Sequence, residues 1–194
     1  MISARENLSI RRRKISIFLF TFGAALGMVL IGASVYADFE STLFDATTIV
    51  DSAVRPINCP VLLSTSEKGK VSAVIRNSTD VRRELVVRAH ITRGHLILIR
   101  ELEDRITLDP GESLRFKWEV TPQDAAYGHL ILAKVIVLNE GPQGTHKGSC
   151  GIIVLNLPDH VRGGQLFWLL YSLSSIGVLG GMTIWRNHGR SSAG

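Results

Sequence analysis

The sequence predicts an all-β sandwich of about seven or eight antiparallel strands flanked by two transmembrane α-helices. Three observations predict it. Two stretches without a charged side chain, residues 15–37 and 165–185, bracket the middle of the chain. Between them, runs of strand length alternate with turn residues at the close spacing of an all-β domain. The clearest run is Leu114-Arg115-Phe116-Lys117-Trp118-Glu119-Val120, where apolar and charged side chains alternate as on a half-buried strand. It follows Leu108-Asp109-Pro110-Gly111-Glu112-Ser113, a turn in which Pro110 presets φ at about −65° and Gly111 can take φ > 0.

Composition agrees with part of the chain lying in lipid. Of 194 residues 45% are hydrophobic, and the mean hydropathy of +0.20 exceeds what a small soluble domain needs. The net charge of +5 and the pI of 9.6 invite a nucleic-acid partner. The charge, however, sits at the ends. Arg5, Arg11, Arg12, Arg13 and Lys14 against Glu6 make the first 14 residues +4, and Arg186 and Arg190 make the tail after Trp185 +2, which leaves the middle at −1. Basic ends set membrane topology, so no nucleic-acid face is expected on the central domain.

Taken in order, residues 1–14 form a basic tail and residues 15–37 a first span. Ile15 to Ala37 exceeds the roughly 20 residues needed to cross a bilayer core. Arg11, Arg12, Arg13 and Lys14 immediately before it place the N-terminus in the cytoplasm. A cleavable signal peptide is the other reading, because Val35-Tyr36-Ala37 before Asp38 suits the peptidase; the apolar run is longer than the roughly 7–15 residues of a signal's apolar region. Both readings export the middle of the chain.

Residues 38–58, with Phe39, Leu43, Phe44, Ile49 and Val50 at irregular intervals, read as a juxtamembrane helix or a strap lying on the domain or a neighbour, or equally as a linker partly packed on its own domain. The domain at 59–157 begins with a short strand at Val61–Ser64. Val71, Ala73 and Ile75 alternate up to the turn at Asn77-Ser78-Thr79-Asp80, and Leu85, Val87, Ala89 and Ile91 mark the next strand, turned by Arg93-Gly94. Leu96–Ile99 and Asp104–Leu108 read as two short runs. After Thr121-Pro122-Gln123-Asp124 comes Leu130–Leu138, the longest apolar run, interrupted only by Lys134; Gly141-Pro142-Gln143-Gly144 is a loop and Cys150–Leu157 the last strand. So many strands in about 100 residues is the size of an immunoglobulin-like domain. A linker at 158–164 leads to a second span at 165–185. Phe167, Trp168 and Tyr171 gather at its first end and Trp185 at its last, as aromatic belts do in headgroup zones. Arg186 and Arg190 in the tail 186–194 make this end cytoplasmic too, so the central domain lies on the extracytoplasmic side of the plasma membrane.

Cys59 and Cys150 are the only cysteines, and an even count in an exported segment predicts a disulfide. Closing a loop of that length contributes about 4–5 kcal/mol by chain entropy. Gly23 and Gly27, and likewise Gly177 and Gly181, are Gly-x-x-x-Gly pairs that let helix backbones approach, either each other or a third helix. The histidines at 90, 95, 129, 146, 160 and 188 show no metal-ligand spacing, and no Gly-x-Ser-x-Gly, phosphate loop or His-Glu-x-x-His occurs. No catalytic residue, cofactor or metal is therefore expected. Asn77-Ser78-Thr79 is a formal glycosylation sequon as well as a turn.

The strand ending at Asn77, the Leu108–Ser113 turn before a strand with Trp118, and Tyr127-Gly128 ahead of the penultimate strand together resemble the bacterial and archaeal immunoglobulin-like modules of the CARDB and related adhesion-type families. The resemblance covers roughly residues 59–157 and implies a binding or structural role with no catalytic residues. The expected function is a non-enzymatic accessory subunit of a larger membrane complex, with integral membrane subunits, the bilayer and a soluble extracytoplasmic protein as partners. The alternative is a tethered cell-surface adhesion or ligand-binding module. A tether tolerates Leu at all four glycines of the spans; an assembled subunit does not.

Overall fold

The computed structural model describes residues 2–44, 52–53, 57–139 and 146–191. By internal contact the chain divides into two compact units, Met1–Ala33 with Phe167–Gly194, and Ser34–Leu166.

The helices are α1 (Ile2–Leu43) and α2 (Gly163–Ser191). Within them, Arg13–Leu43 and Gly163–Asn187 are long and apolar enough to cross a membrane. Neither 2–14 nor 38–43 contains proline or glycine, so nothing stops α1 at the borders of its uncharged stretch.

The second unit holds nine described strands: β1 (Ser52–Ala53), β2 (Ile57–Asn58), β3 (Leu62–Ser64), β4 (Gly69–Arg76), β5 (Arg83–Arg93), β6 (His95–Leu108), β7 (Ser113–Val120), β8 (Leu130–Asn139) and β9 (His146–Leu155). One sheet has the order β1-β9-β8-β5-β6 with β3 also on β9, and the other the order β2-β4-β7.

These elements overturn the all-β class expected from the sequence. About as many residues lie in helices as in strands. The strands are not all antiparallel either: β1 and β3 both run parallel to β9. The physical reason lies in residues 52–64, which cross between sheets, pairing first with β9, then with β4, then with β9 again. Pieces of two or three residues are too short to show an alternation in the sequence. Leu96–Ile99 and Asp104–Leu108 belong to one 14-residue strand, β6, with an irregularity at Thr92/Arg93 where it pairs with β5. Residues 45–51, within the expected linker, and the loop at 141–144 lie outside the described residues.

The two sheets share one core. Val71, Ala73 and Ile75 of β4 and Trp118 and Val120 of β7 meet Leu85, Val87, Ala89 and Ile91 of β5, Ile131, Ala133, Val135 and Val137 of β8, and Ile152 and Val154 of β9. Each fully buried Val, Leu or Ile side chain there contributes about 1.5–3 kcal/mol relative to exposure. The alternation of β7 grades into this core, from Leu114 at 42% exposed to Trp118 at 6% and Val120 at 0%.

The larger sheet is covered on its other face as well. Ala37 and Phe44, at the end of α1, pack on Leu130 and Leu132, with Leu96 and Ile153 beside them. Burial on both faces explains why the β8 sequence is nearly continuous in apolar residues. Gly151 permits the contact, since a Cβ there would overlap the Ala37 carbonyl, and its amide donates to Asp38 Oδ1 at 3.3 Å. Lys134, the one charge in the run, is buried and its ammonium donates to the Phe44 carbonyl at the end of α1. A cation suits the unpaired carbonyls of a helix C-terminus.

The antiparallel ladders sort the turns to two ends. Residues 77–82 and 109–112 lie at one end, with Asn77 between them. At the other lie 65–68, Gly94, 121–129 and the chain leaving β9. Gly163 is fastened at this second end, its amide donating to Glu67 Oε1 at 2.7 Å.

Candidate functional site

In the helical unit, small residues let α1 and α2 touch backbone to backbone. A Cβ on Gly23 would lie 2.7 Å from the Ser174 carbonyl oxygen and the Val178 amide nitrogen. One on Gly177 would lie 2.9 Å from Gly23 Cα, and one on Gly181 2.8 Å from Phe20 Cβ. Gly27 faces Ser174 Oγ rather than a glycine. Two serines, neither singled out by the sequence reading, complete the seam: Ser16 Oγ donates to the Gly181 carbonyl at 2.6 Å, and Ser174 Oγ to the Gly23 carbonyl at 2.8 Å. Their signal was present, because Ser16, Phe20, Gly23 and Gly27 repeat every three or four residues, as one helix face does. The remaining faces are apolar and open, with Phe18, Met28, Val29, Ile176 and Leu179 more than half exposed.

Phe167, Trp168 and Tyr171 form one aromatic cluster, with ring centroids 5.7 to 6.5 Å apart. Trp185, at the other end of α2, sits under Arg13, whose guanidinium carbon is 5.7 Å from the ring centroid. Arg11, Lys14 and Arg186 are exposed. The side chains of Arg12 and Arg190 lie outside those described.

In the sheet unit, Cys59 and Cys150 are joined by a disulfide with Cα atoms 6.5 Å apart. It ties the segment after β2 to the centre of β9. Asn77 is 4% exposed, and its side-chain nitrogen donates to the carbonyls of Val81 (2.8 Å), Leu108 (3.0 Å) and Asp109 (3.2 Å). Its Oδ1 accepts from the Thr79 amide at 3.1 Å and the Thr79 hydroxyl at 2.6 Å. The Gly111 amide, at a residue with φ 77°, donates to the Asn77 carbonyl at 2.9 Å. The nitrogen that a glycan would need is thus engaged in holding two turns together.

His95 and His129 do not meet. Tyr127 stands between them, at centroid distances of 5.0 and 6.3 Å. Nε2 of His90 lies 3.5 Å from Glu101 Oε1. Among the described residues no group of three or more His, Cys, Asp or Glu side chains is placed to hold a metal ion.

The long edge of the larger sheet is β6, which pairs with β5 on one side. It carries charges of both signs. Glu103 accepts from Arg88 at 2.8 Å, with Arg105 Nε at 3.4 Å. The Arg88 hydrogen bond, outweighing desolvation, holds its carboxyl below the usual glutamate range. On β7, a hydrogen bond from Lys68 at 2.8 Å does the same for Glu119. Arg100 reaches from β6 to the Glu119 carbonyl at 2.7 Å and to buried Asp124 at 3.2 Å, linking the edge to the loop after β7.

No protein-family model matches the chain, and no curated protein matches it. Similar solved structures include a CARDB domain from Pyrococcus furiosus in complex with di-metal ions, at 12% identity over 52% of this chain and 90% of that one, with a TM-score of 0.40. A Paenibacillus cycloisomaltooligosaccharide glucanotransferase matches at 12% identity over 55% of this chain and 14% of its own, with a TM-score of 0.40. A Bacteroides uniformis beta-glucuronidase matches at 19% identity over 48% of this chain, with a TM-score of 0.34; the matched part is 12% of that enzyme's length.

Proposed function

We propose that the protein is a non-enzymatic accessory subunit of a larger membrane complex. The two apolar helices anchor it in the plasma membrane with both ends in the cytoplasm, as the basic residues around Arg11–Lys14 and after Trp185 favour. The sheet unit stands on the opposite side, where it stabilises the assembly or docks a partner chain.

The observation that carries this reading is the edge strand β6. It is 14 residues long, its stretch from Arg100 onward is open to an incoming strand, and among the described residues its outer side pairs with none. A sheet edge of that length is a template for another chain. Arg100, Glu101, Glu103, Asp104 and Arg105 along it disfavour indiscriminate stacking and select a partner of complementary charge. The open apolar faces of both helices offer the same partner, or others, a place in the bilayer.

Purification from native membranes in mild detergent, followed by mass analysis of the intact assembly, tests the reading. Co-purifying membrane proteins in fixed ratio are expected, and their loss when a proline is placed within β6 links them to the edge. A lone monomer would sink the proposal.

A further inference from the structure

At the Gly163 end of the sheet unit an apolar tip projects that neither sheet covers. Gly94, with φ 71°, turns β5 into β6, and the residues that follow leave the core: Ile97 is 81% exposed, Leu98 60% and Ile99 41%. Tyr127 stands beside them, 58% exposed, in a left-handed conformation (φ 53°) that residues with a side chain seldom adopt. Such a residue is kept in place by its surroundings. Here the Tyr127 amide donates to the Gly94 carbonyl at 3.3 Å, and the ring lies 5.0 Å from that of His95. Thr92, buried just before the turn, donates through its hydroxyl to the Asp124 carbonyl at 2.8 Å and accepts from the Leu132 amide at 3.1 Å. The tip is therefore braced against the loop after β7.

Its chemistry is one-sided. Residues 93–99 and 127–129 contain Arg93, His95 and His129 and no acidic side chain. The opposite end is polar with charges of both signs: residues 77–83 and 109–113 contain Asp80, Asp109 and Glu112 beside Arg82 and Arg83, and Val81 is the large exposed apolar residue there. The tip also lies at the end of the sheets where the chain passes into α2, since Gly163 is fastened to the 64–67 turn by the Glu67 carboxylate.

We propose that this tip is a third, interfacial membrane contact: Ile97 and Leu98 enter the boundary between headgroups and acyl chains, Tyr127 and His95 lie at headgroup level, and Arg93 meets lipid phosphate. The proposal rests on α1 and α2 being membrane spans. An apolar wedge with an amphipathic aromatic and a cation at its rim is the composition that settles about 5–10 Å into such a boundary. The contact would hold the sheets in one orientation and so fix which way the β6 edge faces.

The test uses the full chain in phosphatidylcholine–phosphatidylglycerol vesicles, with one environment-sensitive fluorophore on Leu98→Cys, Val81→Cys or Ile176→Cys. Cys59 and Cys150 are bonded to each other and do not take the label. Lipids carrying spin labels are then added. The expected result is that the probes at 98 and 176 each lose more than half their fluorescence while the probe at 81 is unchanged. Quenching at 176 without quenching at 98 overturns the interfacial contact and leaves the spans standing. No quenching at 176 overturns the membrane reading itself. A blue shift at 98 without quenching means that a second copy covers the tip, which also overturns the lipid assignment.

Discussion

Replacing Asn77 by alanine removes five side-chain contacts: its two amide hydrogens are shared among three carbonyls, and its oxygen accepts from the Thr79 amide and hydroxyl. They differ in worth. The Leu108 carbonyl is buried and loses a partner that water cannot readily replace, at about 1–3 kcal/mol. The bonds to Val81, Asp109 and Thr79 are only partly buried, so water recovers most of each, leaving about 0.5 kcal/mol apiece at most. The backbone bonds of Asn77 to Glu112 and Gly111 survive. The expected loss is about 1–5 kcal/mol, a large share of the stability of a domain this size. Chemical denaturation of the full chain in detergent, followed by far-UV circular dichroism, measures the loss. Hydrogen exchange at the Gly111 amide localises it. Asn77→Asp sharpens the test, because its second oxygen faces three carbonyl oxygens where the nitrogen donated. The fold then raises the carboxyl pKa, so the penalty is full above the raised value, shrinks as pH falls through it, and is gone below the unfolded-state value. Asn77→Asp should regain stability on acidification and Asn77→Ala should not. An alanine variant within about 0.5 kcal/mol of the parent, the range of an ordinary surface change, would refute the reasoning.

Three further outcomes follow from the same geometry. Gly23→Leu and Gly177→Leu put a side chain into facing backbone and should widen the α1–α2 distance read by paired spin labels, whereas Gly180→Leu, whose added Cβ meets nothing within 4 Å, should not; equal distances in all three would remove the seam. Substituting Cys59 and Cys150 together by alanine should cost about 4–5 kcal/mol, because the bridge spans 91 residues of sequence, and denaturation midpoints under oxidising and reducing conditions should then coincide. Lys68→Met should let the Glu119 carboxyl titrate closer to the ordinary value of 4.5, followed by NMR. The lowered pKa means that the pair stabilises above the ordinary value and that this is lost as pH falls through the lowered one; with both side chains exposed, the effect on stability is small.

Features with a complete local signal could be read from the sequence. Pro110-Gly111 announces a turn, and Gly111 takes φ 77°; Gly94 does the same at φ 71°. The alternation of Leu114, Phe116, Trp118 and Val120 needs only its own strand to be seen. The Gly pairs of the spans were visible, and Ser16 lies on the same helix face as Gly23 and Gly27, but which carbonyls Ser16 and Ser174 bond across the seam shows only once the facing helix is known. The parallel placement of β1 and β3 was hidden for a different reason: their partner β9 lies about 90 residues away, and each strand offers only two or three residues of pattern.

The run Leu130–Leu138 joins what the sequence showed to what it hid. Apolar residues on both alternating sets mean that a strand is covered on both faces, so the run alone required something to lie on the sheet away from the core. Residues 37–44 meet that requirement; Ala37 reads as the end of the first span and 38–44 equally as a juxtamembrane helix, a strap on the domain or a linker, because α1 passes from an uncharged stretch into Asp38-Phe39-Glu40 without any residue that stops a helix. The one charge in the run could have exposed the cover. A lysine in a strand buried on both sides must find an acceptor, and the backbone acceptors of neighbouring strands are already committed to the ladder. The open carbonyls at a helix C-terminus are the acceptors a covering element supplies. The bond from Lys134 to Phe44 is therefore what the pattern demanded: a lone cation inside a two-faced apolar strand points to a helix ending above it.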